Sequence, residues 1–182
     1  MKIGFKKYYL NLVFLVISIS IIACDSEPPV INYPNVVGFK MTGDINMDYI
    51  SKKGFIAIIS GNQNQFQFST DATINKRSYA LVISIFRKAE NDTVKTFTVI
   101  DPRYTSDKDN YAMISFMSDY GDKTNQRQYW AQTGTVDFSV MNIGLIETKV
   151  VGTFNFDATN VRGTDTLKVS VTDGWFNYKR QF

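Results

Sequence analysis

The chain has no histidine and a single cysteine in 182 residues. Without histidine there is no Ser-His-Asp or Cys-His triad, no His-containing zinc site and no imidazole general base. One cysteine cannot close an internal disulfide, so any fold must be held by packing alone. Proline is scarce, at four residues, and no window of twelve or more keeps a clean helical period. Phosphate-cradling glycine loops and Ser-x-x-Lys stretches are also missing. These absences exclude most nucleotide-dependent and nucleophilic chemistry.

What the chain has in quantity is Phe (14) and Tyr (10), residues that favour strands. After Pro34 the pattern alternates with period two. Phe66 and Phe68 alternate with Gln65, Gln67 and Ser69. Tyr79, Leu81, Ile83 and Ile85 fall on one face, with Ala80, Val82 and Phe86 opposite, so Ser78–Phe86 is expected to be buried on both sides. Tyr111–Met117 and Val136–Val140 alternate likewise. Gly61-Asn62-Gln63-Asn64 and Asn91-Asp92 read as turns, and Asp101-Pro102 as a strand end. One helical turn is expected near Asp107–Met113, and Asp119–Gln128 as the largest polar loop. The prediction is an all-β fold, an antiparallel β-sandwich of about nine to eleven strands, with a closed β-barrel as the alternative.

The cysteine divides the chain. Residues 1–23 open with Lys2, Lys6 and Lys7 and continue as a fifteen-residue apolar run, Tyr8–Ile22. That run suits a signal peptide and is shorter than the ~20 residues that span a bilayer. Ile21-Ile22-Ala23-Cys24 resembles a lipobox, the site cut before a cysteine that then carries acyl chains. Ile21 stands where leucine is usual, and Ile22 is bulkier than the common residue. Three of the 20 basic residues and none of the 17 acidic ones lie before Cys24, so the rest of the chain balances at zero formal charge. No nucleic-acid surface is expected from that balance. The predicted plan is a signal peptide over 1–23, a lipidated tether over 24–34 and one β-rich domain over 35–182. Asp25-Ser26-Glu27-Pro28-Pro29 begins the tether.

The last fifty residues carry the strongest local pattern. Val151–Thr159 alternates about Phe154 and Phe156; Leu167, Val169 and Val171 alternate with Lys168, Ser170 and Thr172; Trp175–Tyr178 follows. Asp173-Gly174 reads as a type I′ hairpin turn between the second and third of these strands. Gly152-Thr153-Phe154-Asn155-Phe156, the Val-rich strand and Gly174-Trp175-Phe176 resemble the ending of a family of uncharacterised Bacteroidota lipoproteins. The leader, the acidic tether and Gly134-Thr135-Val136 fit the same plan. The resemblance implies an envelope lipoprotein, at the outer membrane and surface-exposed, and carries no functional residue with it.

Candidate sites are few. No catalytic residue, metal ligand or cofactor is predicted. Tyr129 and Trp130, beside the large loop with Gln128 and Gln132, are the candidate ligand-binding pair, since an aromatic ring can stack on a sugar or an apolar ligand. Asp107 and Asp109 superficially match a calcium loop, but Ala112 and Ser118 stand where glycine and glutamate are needed. Asp119 and Asp122, in the large loop, are the candidate pair for a glycosidase acid and base, although spacing in sequence does not fix their separation in space. The expected function is a lipid-anchored, non-enzymatic binding module for a glycan or an envelope protein. The alternatives are a barrel enclosing a small apolar molecule and, below that, a glycan-active enzyme.

Overall fold

The computed structural model describes residues 36–58, 65–88, 95–103, 110–144, 147–162 and 165–181. All of them belong to the compact unit Asn32–Phe182. The predicted leader, Cys24, the tether, the Gly61–Asn64 and Asn91-Asp92 turns, and Asp107 and Asp109 lie outside the described residues.

The described residues form ten strands and no helix. In order these are β1 (Val37–Gly43), β2 (Met47–Ser51), β3 (Phe55–Ile58), β4 (Gln65–Ile74) and β5 (Arg77–Phe86). The rest are β6 (Thr96–Val99), β7 (Tyr111–Ser118), β8 (Arg127–Ile143), β9 (Glu147–Arg162) and β10 (Asp165–Gln181). They make one sheet in the order β2-β1-β10-β9-β8-β6-β7-β5-β4-β3, and β8 also pairs directly with β7. Every pairing is antiparallel except the short β6–β7 contact. The long β8 reaches both neighbours by pairing Arg127–Trp130 with β7 and Thr135–Asp137 with β6.

Alternation dictates which face is buried. Phe66, Phe68, Leu81, Ile83, Ile85, Ile114 and Phe116 point to one interior, as do Phe154, Phe156, Val169, Val171 and Phe176. Rings from strands far apart in the sheet meet there. Phe39 of β1 packs edge-on to Phe116 of β7, with centroids 6.2 Å apart. Phe66 of β4 meets Phe138 of β8 at 6.0 Å, and Phe68 meets Phe176 of β10 at 5.9 Å. The sheet therefore folds over itself into a sandwich-like arrangement around one aromatic core.

The sheet is not closed into a barrel. Its two ends approach at Ser51–Lys53 and Thr70–Asp71 but share no backbone ladder. Side-chain hydroxyls bridge the gap instead: Ser51 Oγ donates to the Asp71 carbonyl at 2.6 Å, and Thr70 Oγ1 donates to the Lys53 carbonyl at 2.6 Å. The buried Tyr49 hydroxyl lies beside both. Its oxygen has no hydrogen-bond partner. Burial pushes its pKa up to about 12, against a smaller opposing pull from Thr70 and Ser51.

Two local expectations are corrected. Asp173-Gly174 is not a turn. β10 runs unbroken from Asp165 to Gln181 and pairs with β9 on both sides of a bulge between Val171 and Gly174. Asp173 takes φ 53°, and a Cβ on Gly174 would sit 2.5 Å from the Phe154 carbonyl oxygen, so the chain kinks with an extra residue and continues. Phe176 and Tyr178 still face inward as their alternation requires. The helical turn expected near Asp107–Met113 is also absent where it can be seen: Tyr111, Ala112 and Met113 open β7, paired to β5. The expectation for β5 holds on its inner face, while on the outer face Ala80 is buried and Val82 and Phe86 are half-buried.

Candidate functional site

Adjacent residues of a strand point to opposite faces, and β8 separates the predicted pair on that ground. Tyr129 faces the core, fully buried, 6.1 Å from Phe116 ring to ring. Burial raises its pKa, with Arg127 pulling the other way. Trp130 faces outward and is 37% exposed. Only Trp130 offers a ring to a ligand.

The outward direction leads to a larger feature. Registers place Phe55 opposite Ser69, Ser69 opposite Val82, Val82 opposite Ser115, and Ser115 opposite Trp130. Four inter-strand steps separate the two rings, a span of about 19 Å. The residues between them are small. The neighbouring row runs from Asp71 through Ala80 and Met117 to Gln128. The β3–β4–β5–β7 part of this face forms a groove of about 300 Å³, with Ser69, Ala80 and Val82 as floor and Phe55, Tyr120 and Lys53 on its walls. Phe55 is 54% exposed and Tyr120 50%. With Trp130 and Ile50 they are the large hydrophobic side chains most exposed among the described residues. Sequence reading missed Phe55, which alternates like any strand residue. Only the register shows that it belongs to the outer face.

The turn after β7 fixes Tyr120. Its backbone N–H donates to the Ser78 carbonyl at 2.8 Å, and Asp119 beside it is gripped by Arg77 through bonds of 2.8 and 2.5 Å. The Arg77 guanidinium holds the Asp119 carboxyl below the usual carboxylate range. Asp122 accepts from the Thr124 and Asn125 backbones and from the Asn125 amide, and these bonds, the Asn125 amide first, lower its carboxyl as well. A glycosidase acid must hold its proton at neutral pH, so both shifts run opposite to that need. The two acids instead organise the turn. No group of three or more potential ligands able to hold a metal occurs among the described residues.

A second hollow lies on the outer face of β8, β9 and β10. It is about 480 Å³ and is lined by Trp175, Asp137, Ser139, Thr153 and Asn177. Trp175 rests against Gly38 of β1, where an added Cβ would come within 2.7 Å of three indole atoms. Only glycine at 38 leaves the indole that seat.

The chain matches no protein-family model, no curated protein and no solved structure.

Proposed function

We propose that the protein is a lipid-anchored, non-enzymatic binding module of the bacterial cell envelope. Cys24 carries the acyl chains, and the outer face of the sheet makes the contact. The lipobox-like Ile21–Cys24 and the preceding cationic, apolar leader support the anchor. Two or three acyl chains hold a protein stably at a membrane, whereas one gives only marginal binding. The observation that carries the binding reading is Phe55, Tyr120 and Trp130, exposed on one outer face around a floor of small side chains. Exposed rings at a groove are the usual contact groups for a glycan or protein ligand. The carrier alternative has less support, because the interior is filled with aromatic rings packed at 4.4 to 6.3 Å between centroids.

The test uses the native host. Radiolabelled palmitate is expected in the wild type and not in Cys24→Ala; label persisting in that variant overturns the anchor. A photo-reactive benzoyl-phenylalanine placed at position 120 is expected to yield adducts with an envelope component. Clean absence of adducts at positions 55, 120 and 130 would remove the binding module.

A further inference from the structure

The chain contains two tryptophans, and both lie on the outer face of the sheet. Trp130 stands opposite Thr159 of β9, and Trp175 stands opposite Thr153 of the same strand. Six residues of extended chain separate those partners, about 20 Å. The strip between the indoles is built of polar side chains only: Thr133, Thr135 and Asp137 from β8, facing Asp157, Asn155 and Thr153 from β9. The Asn155 amide donates to Thr135 Oγ1 at 3.0 Å, Thr133 Oγ1 donates to Asp157 at 3.3 Å, and Gln132 donates to Thr159 Oγ1 at 2.8 Å. These bonds fix the side chains in place while Thr153, Asn155 and Asp157 stay exposed.

We infer that this strip is the binding track of an extended, uncharged polysaccharide, with Trp130 and Trp175 stacking on sugar rings at its two ends. This deepens the reading of the outer face as the contact surface and rests on it. The chemistry selects the class. A pyranose has an apolar C–H face, which suits the electron-rich face of an indole. It also has a rim of hydroxyls, which suit amides, hydroxyls and carboxylates held ready along a line. A protein interface would need an apolar centre, and the strip has none between its ends. Asp137 and Asp157 accept hydrogen bonds from sugar hydroxyls and repel a chain of uronates or sulfates along the strip, while Lys168 beside it stands only at the Trp130 end, opposite Thr159. The hollow beside Trp175, with Asp137, Thr153 and Asn177 around it, gives the terminal sugar a seat.

The experiment runs the full-length protein, purified in detergent, through native gels containing xyloglucan, galactomannan, a β-1,3-glucan or, as the anionic comparison, alginate. At least one neutral polysaccharide is expected to retard it, and alginate is not. Trp130→Ala and Trp175→Ala are each expected to weaken the interaction about thirtyfold, the loss that marks an aromatic contact at a binding hot spot. The single-tryptophan proteins Trp130→Phe and Trp175→Phe keep a ring in place. Their fluorescence is expected to report that a long oligosaccharide perturbs both ends and a short one only one. Trp175→Phe also guards against misfolding of Trp175→Ala, since a phenyl ring still covers Gly38. The inference is overturned by no retardation in any neutral gel, by retardation in alginate alone, or by retardation that neither alanine variant reduces. Adducts from position 120 together with failure in every gel would leave the module standing and remove the glycan.

Discussion

Arg77 and Asp119 lie 42 residues apart and meet through a two-point bond that joins the start of β5 to the end of β7. Arg77 also stands over the Tyr79 ring, 5.9 Å from its centroid. Just after β6, Arg103 grips the buried Asp101 through bonds of 2.5 to 3.0 Å. In both acids the arginine bond lowers the carboxyl pKa. A carboxyl depressed in the folded state binds fewer protons there than in the unfolded chain. Its contribution is present above the unfolded value of about 3.9 and is lost as pH falls through the folded one. Melting temperature is therefore expected to hold from pH 7 to about 4 and to fall below that. Asp101→Asn with Asp119→Asn should start lower at pH 7 and lose less on acidification. Parallel curves for wild type and double variant would show that neither pair governs the acid limb. Both arginines are more than half exposed, so solvent screens much of each pair's effect.

At the scale of elements the seam between β2 and β4 is the unusual feature, because the end strand β2 meets the part of β4 that runs beyond β3 through hydroxyls. A hydrogen bond of this kind contributes about 1 kcal/mol net. Ser51→Ala with Thr70→Val removes both donors at nearly constant volume. The double variant is expected to lose about 2 kcal/mol of stability. Hydrogen exchange should quicken first in β2 and β3, while the long β9–β10 ladder keeps its protection. Uniform acceleration across all strands would mean that the seam does not open independently. The seam was invisible in sequence, since Ser51 and Thr70 alternate like ordinary strand residues and nothing local says that their strands meet. The strands themselves were legible because period two holds on each side of the bulge and only its phase shifts across it: Phe154, Phe156, Val169, Val171, Phe176 and Tyr178 all face inward as read. Asp173-Gly174 misled because the same pair suits a reversing turn and a bulge, and only the register with β9 on both sides distinguishes them. Tyr129 and Trp130 were both apolar at a strand end, so alternation separated them but could not say which faced out. The partner rows decided that: Phe116 stands beside Tyr129, and Ser115 beside Trp130.

For the whole molecule, the proposed anchor at Cys24 precedes in the chain the residues that form the described core. Among the described residues the hydrophobic core is one cluster from Val36 to Tyr178, and its rings contact one another. The chain after Cys24 is balanced in formal charge, so nothing in its composition supplies a second, electrostatic attachment to an anionic membrane. If the proposed acyl chains are the tether, Cys24→Ala should move the protein from the membrane pellet to the soluble fraction. Its melting temperature should stay within the shift that about 0.5 kcal/mol produces, as for other substitutions distant from a core. A variant that remains in the pellet after carbonate washing would place the attachment elsewhere in the chain. One that leaves the membrane but melts much lower would show that the leader or tether contributes to the stability of the domain.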